Sequence, residues 1–118
     1  MFLERLSEIS NRIEGTRALS LIAADGIPVE SVSSDDTLDL EALAAELMNQ
    51  VQKIGENHRD LDLGDVRQLS VATREMTLMV GSVSKNYFLL LVLGPEGSYG
   101  RARFELRRAR LQFESELD

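Results

Sequence analysis

The chain predicts an α/β protein of the α+β type, with elements in the order α-β-β-α-β-β-β-α around an antiparallel sheet. Three observations carry this prediction. Asp25-Gly26 separates two strand-like runs, and Asp-Gly there is the strongest short hairpin signal because both residues tolerate positive φ. Three more strand-like runs follow one another through two-residue connections, Arg74-Glu75 and Ser84-Lys85, as in an antiparallel meander. The order lacks the repeated strand–helix–strand alternation that a parallel, doubly wound sheet requires.

Taken in order, Phe2, Leu3, Leu6, Ile9 and Ile13 form a helical stripe closed by Gly15. Residues 18–24 and 27–33 read as strands. Pro28 cannot donate a ladder hydrogen bond, which assigns the second of them to a sheet edge. Asp36 and Thr37 offer caps for a middle helix, and Asp39 and Glu41 suit its positive N-terminal dipole. Leu40, Leu43, Ala44, Leu47, Met48, Val51 and Ile54 recur at i, i+3, i+4 and i+7, and Gly55 is the expected stop. A polar connection over residues 56–65 leads to strand-like runs at 66–73, 76–83 and 86–93. The last run is apolar on both faces and is expected at the centre of the sheet. Gly94, Pro95, Glu96 and Gly97 end it, and a final helix spans about 98–117. Ala102, Leu106, Ala109, Phe113 and Leu117 make one apolar stripe of that helix and Phe104 and Leu111 a second, together broad enough to meet both the sheet and the first helix.

The 118 residues suffice for one domain over 1–118, large enough to bury a core without staples. With no cysteine there is no disulfide framework, thiolate zinc site or cysteine nucleophile. A cytoplasmic location without membrane insertion is expected, because the longest apolar run, 87–93, is too short to cross a bilayer and Glu4, Arg5 and Glu8 interrupt any signal peptide. Net charge is −7, unevenly spread: residues 25–65 hold eleven acidic side chains against Lys53 and Arg59, a local balance of −9. Nucleic acid is not an expected partner of so acidic a chain.

No catalytic constellation, metal site or cofactor motif emerges. His58, the sole histidine, lies in the polar connection, where it reads as a solvated side chain with no nucleophile or orienting partner nominated. Asp35-Asp36 and the group Asp60, Asp62 and Asp65 lack the ordered spacing and terminal glutamate of a calcium loop. Gly94, Gly97 and Gly100 match neither the dinucleotide fingerprint nor the phosphate-binding loop with its lysine. Arg101, Arg103, Arg107, Arg108 and Arg110 form the one basic cluster and read as a solvated face partnered by Glu105 and Glu114. On the middle helix, Ala42, Ala45 and Asn49, flanked by Glu46 and Lys53, lie opposite the apolar stripe. Small residues there either admit another backbone or simply favour helix. The run at 66–73 has one neighbour within the meander, and strand pairing between two copies would cover its free side.

Residues 19–31 (LSLIAADGIPVES), the capped helix, the meander and residues 97–109 (GSYGRARFELRRA) together resemble the Roadblock/dynein light chain family, in particular its bacterial MglB-like members. The resemblance covers nearly the whole chain. It implies a profilin/longin-like Roadblock fold with strand order 2-1-5-4-3, the middle helix on one face and the other two helices on the opposite face. It also implies a homodimer made by pairing third strands, through Arg67, Gln68, Leu69, Ser70, Val71 and Ala72, with Ala44 and Met48 of the middle helices at the dimer interface. The outward platform of those helices, Glu41, Ala42, Ala45, Glu46, Asn49, Gln50 and Lys53, would receive a Ras-like small GTPase and modulate its nucleotide cycle without donating an arginine finger. The expected function is therefore a non-enzymatic interaction module. A nucleotide-independent dimeric scaffold is one alternative. A PAS- or GAF-like small-molecule sensor is the other, but its pocket walls, such as Leu47, Val51, Leu89 and Leu91, offer few polar anchors.

Overall fold

Each face of a sheet that carries apolar side chains must be covered, and β5 here carries them on both. In the computed structural model, which describes residues 2–57 and 59–117, the elements are α1 (Leu3–Arg12), β1 (Thr16–Ala23), β2 (Pro28–Ser33), α2 (Leu40–Asn57), a 3-10 turn (Arg59–Leu61), β3 (Gln68–Ala72), β4 (Thr77–Ser82), β5 (Tyr87–Leu93) and α3 (Tyr99–Phe113). The five strands form one antiparallel sheet in the order β2-β1-β5-β4-β3, so β5 is central, as its two-faced apolarity demands. His58, read as a loop residue, lies outside the described residues.

Successive residues of a strand point to opposite faces, and β5 divides its side chains accordingly. Leu89, Leu91 and Leu93 join Leu19, Leu21 and Met79 beneath α1 and α3, where Leu6, Ile9, Leu106 and Phe113 complete one core. Phe88 and Leu90 join Ile22 and Val80 beneath α2, where Ala44, Leu47, Met48 and Val51 complete the other. The one fully buried serine of the sheet, Ser20, has its hydroxyl 2.7 Å from that of Ser31 on β2, so the polar group is satisfied.

Several element ends differ from the sequence expectation. The cap of α2 is Asp39, whose Oδ1 accepts from the Ala42 N–H at 3.1 Å. Asp35 instead ties off the preceding turn by accepting from both the backbone and the hydroxyl of Thr37. The helix therefore starts at Leu40, and it runs through Gly55 to Asn57, because Gly55 keeps a helical φ rather than the positive φ of a C-terminal stop. Helix α3 starts as expected, with the Ser98 hydroxyl accepting from the Arg101 N–H at 3.2 Å, but it ends at Phe113. Its second apolar stripe is not packed: Phe104 and Leu111 face solvent, since a single helix laid on a sheet buries one side only. Instead Glu105, expected on a solvated face, is wholly buried between α1 and α3.

The two sheet edges are built differently. On the β2 edge the register slips between Leu21 and Ile22, and Pro28 removes a donor, two devices that blunt an edge against further pairing. The β3 edge has neither: its five residues pair with β4 in unbroken register.

Candidate functional site

Two features without a partner element among the described residues are the outward face of α2 and the outer edge of β3. On α2, Glu41, Ala42, Ala45, Glu46, Asn49 and Lys53 are exposed and Gln50 is half-buried. From Ala42 to Lys53 the helix rises about 16 Å, long enough to seat a partner element. Gln50 donates to Glu46 at 3.1 Å one turn earlier, which stiffens that surface without closing it. The helix is also pinned to the β1–β2 hairpin. Gln52 donates to the Ala24 carbonyl at 3.3 Å, and Gly26, with φ of +91°, comes so close that a Cβ on it would lie 3.2 Å from the Ala45 Cα. Part of the reason for alanine at position 45 is thus internal: it admits this chain's own hairpin.

Two residues expected at a dimer contact are elsewhere. Ala44 and Met48 are 0% and 2% exposed, sealed under α2 against the sheet, and offer no surface to a second copy. Their place in the i, i+3, i+4 stripe dictates this, because the stripe that covers the sheet cannot also cover another helix. Leu47, Val51, Leu89 and Leu91, named as walls of a sensor pocket, are likewise buried within the two cores.

The β3 residues are available. The Arg67 carbonyl accepts from Ser82 at 2.8 Å and the Thr73 N–H donates to Met76 at 2.8 Å, so the odd-numbered residues between them direct their backbone groups to β4. Gln68, Ser70 and Ala72 consequently present their N–H and C=O groups to the open side. Beside that edge, Val71 is 37% exposed on the α2 face of the sheet, with half-buried Leu69 next to it. Arg67 is exposed just before the strand.

The basic cluster of α3 divides in two. Arg101 and Arg108 approach the buried Glu105 carboxylate at 3.1 and 3.8 Å, and Arg12 of α1 donates to it at 3.0 Å. Arg103, Arg107 and Arg110 turn to the other side of α3, where they line a cleft with Tyr99, Ser70 and Arg67. Charge pairing elsewhere is structural: Arg5 meets Glu116 at 2.6 Å, and each holds the other's charged form, raising the arginine and lowering the carboxyl. The Thr37 hydroxyl and N–H, with Arg17 more distant, keep the Asp35 carboxyl below the usual carboxylate range. Among the described residues no group of three or more His, Cys, Asp or Glu side chains is arranged to hold a metal ion, and no helix is long and apolar enough to cross a membrane.

Comparison with known proteins agrees with this architecture. The family model described as the Roadblock/LC7 domain matches residues 3–93. MglC from Myxococcus xanthus is 31% identical, with a TM-score of 0.71 and 98% of each chain covered. A gliding protein, MglB from Thermus thermophilus, is 19% identical with a TM-score of 0.83, covering 92% of this chain and 82% of its own. A Roadblock/LC7 domain from Streptomyces avermitilis is 20% identical with a TM-score of 0.83, covering 94% and 92%. Among curated protein sequences there is no significant match. With more than half its length matched by the family model, and with the five-stranded sheet and three helices disposed as described, the chain belongs to the Roadblock/LC7 domain family.

Proposed function

We propose that this protein is a cytoplasmic, homodimeric, non-enzymatic regulatory module, one domain over 1–118, that binds a Ras-like small GTPase on its α2 platform and modulates the nucleotide cycle of that partner. The observation that carries the reading is the unblunted β3 edge lying beside an exposed α2 face in a member of the Roadblock/LC7 family. The MglB and MglC likenesses support the regulatory assignment.

Physical chemistry specifies how the dimer would form. Free backbone groups at Gln68, Ser70 and Ala72 pair best in a two-fold antiparallel arrangement with Ser70 opposite its own copy and Gln68 opposite Ala72. That register makes about six inter-strand hydrogen bonds and yields a continuous ten-stranded sheet. On the α2 side Val71 of each copy meets Leu69 of the other, and the two α2 helices come to lie side by side. The partner surface then comprises Glu41, Ala42, Ala45, Glu46, Asn49, Gln50 and Lys53 of both copies. Docking there works by shape and charge, with no group of this chain entering the chemistry of hydrolysis.

Light scattering at micromolar concentration tests the first half: a particle of about twice 13.2 kDa is expected. Ser70→Pro removes an outward N–H that β4 does not use, so it should give a folded monomer, and Val71→Lys should do the same by setting a charge against Leu69 of the other copy. A wild-type monomer would overturn the dimer. The second half is tested by pull-down from source-cell lysate with GDP and GTP-analogue arms. Enrichment of a small GTPase in one arm, lost on Asn49→Trp while the dimer persists, supports the reading. Equal recovery in both arms would assign the scaffold role instead.

A further inference from the structure

The cleft between α3 and the β3–β4 sheet edge holds about 600 Å³ and is lined by Arg67, Arg103, Arg107 and Arg110, with Tyr99, whose hydroxyl donates to that of Ser70 at 3.3 Å. No carboxylate lines it among the described residues, and none of the four guanidiniums has an ion pair among them. In a chain of net charge −7, with twenty acidic side chains available, this is a marked segregation. Glu105 shows the contrast on the same helix, where it gathers Arg12, Arg101 and Arg108 on the α1 side. Four guanidiniums lining one cleft with no ion pair make it attractive to an anionic ligand.

We infer that this cleft is a docking groove for a short acidic segment of a partner protein, a site on the α3 side of the sheet, separate from the α2 platform and bordering the β3 seam, with all four guanidiniums from one protomer. Three observations select that ligand. Arg67, Arg103 and Arg107 are exposed and Arg110 half-buried, so the anion is met at the surface rather than enclosed as in a small-phosphate pocket. Arg103, Arg107 and Arg110 lie at i, i+4 and i+7, a row about 10 Å long that matches an extended peptide of about three residues carrying repeated carboxylates. Finally, Arg67 and Arg110 also border the next cleft, where Asp62, Asp65 and Glu114 appear. A longer polyanion continuing that way would meet those carboxylates, which limits the ligand's length and disfavours a nucleic-acid strand. Arginine forks bind carboxylates bidentately, which gives the docking orientation as well as attraction.

The test is fluorescence anisotropy with a labelled tetraglutamate peptide and the full chain. Saturable binding is expected below about 100 μM in 50 mM NaCl, weakening at least tenfold in 300 mM NaCl. The double variant R103Q/R107Q should weaken it at least tenfold with an unchanged circular dichroism spectrum. R67Q, on the opposite wall, should weaken it severalfold, whereas Arg74→Gln, outside the cleft, should leave it unchanged. Absence of binding, or equal binding by R103Q/R107Q, would overturn the inference. So would tighter, cleft-dependent binding of a twelve-nucleotide single-stranded DNA. Because Arg103 and Arg107 lie on α3, outside both the α2 platform and the β3 seam, GTPase capture by R103Q/R107Q separates a failure here from a failure of the proposed function.

Discussion

Replacing Glu105 tests whether the α1–α3 layer is held by a buried charge or merely tolerates one. Its side chain is 0% exposed, whereas the guanidinium-bearing side chains of Arg12, Arg101 and Arg108 are 29%, 49% and 47% exposed. Arg12 makes a directed hydrogen bond to Oε1 at 3.0 Å; Arg101 reaches Oε2 at 3.1 Å as an ion pair without hydrogen-bond geometry, and Arg108 at 3.8 Å contributes attraction only. A charge-assisted hydrogen bond to a buried group contributes about 1.5–3 kcal/mol, and half-exposed partners contribute less than about 1 kcal/mol each. Against this stands the desolvation of the carboxylate, which Gln avoids. Glu105→Gln keeps the volume and one acceptor for Arg12, so a net loss of about 1–2 kcal/mol is expected. Glu105→Ala also removes packing atoms and should lose about 3 kcal/mol. At this chain length about 4 °C accompanies each kcal/mol, giving drops of about 4–8 °C and 12 °C. Urea unfolding followed by circular dichroism reads both, and a double-mutant cycle with Arg12→Gln isolates the coupling, expected near about 1 kcal/mol. If Glu105→Gln is as stable as the parent and the cycle shows no coupling, the desolvation cost cancels the pairing and the account is wrong.

Three other outcomes follow from particular residues. Gly55→Ala should stabilise by about 0.5–1 kcal/mol, since Gly55 is inside α2 and an added Cβ would have nothing within 4 Å; a loss would mean that it terminates the helix after all. Gly15→Ala should cost more than about 3 kcal/mol, because φ is +87° and the added Cβ would lie 2.5 Å from the backbone Cα of Gly97, read as a fall in thermal midpoint of more than about 10 °C. Asp35 and Glu116 both bind protons more weakly in the folded chain than in the unfolded one, so their stabilisation is complete above the ordinary carboxylate range and lost as pH falls through the lowered folded values; a D35N/E116Q variant should show a shallower acid-induced loss of stability below about pH 5 than the parent, and an identical pH profile would contradict these pairings.

Sequence periodicity alone determined the order of elements, the central place of β5 and the edge place of β2. These are local readings: an apolar run on both faces has to be covered twice, and a proline in a strand has to lie where its missing N–H is not needed. The outward face of α2 was equally legible, because a helix with one apolar stripe against a sheet leaves its opposite face to solvent. Helix limits were less so. Asp36, Thr37 and Asp39 are all competent caps, and only the path of the chain out of β2 decides that Asp39 reaches the Ala42 N–H. Tertiary structure alone decided the rest. It drew Ala44 and Met48 under α2, since one side chain cannot serve an internal core and an external contact at once. It buried Glu105 by bringing α1 against α3, a contact between residues ninety-three apart in sequence that no local pattern encodes. And by turning Arg103, Arg107 and Arg110 away from that carboxylate, toward a sheet edge carrying Arg67, it made an unpaired basic groove from arginines whose spacing alone suggested only a solvated face.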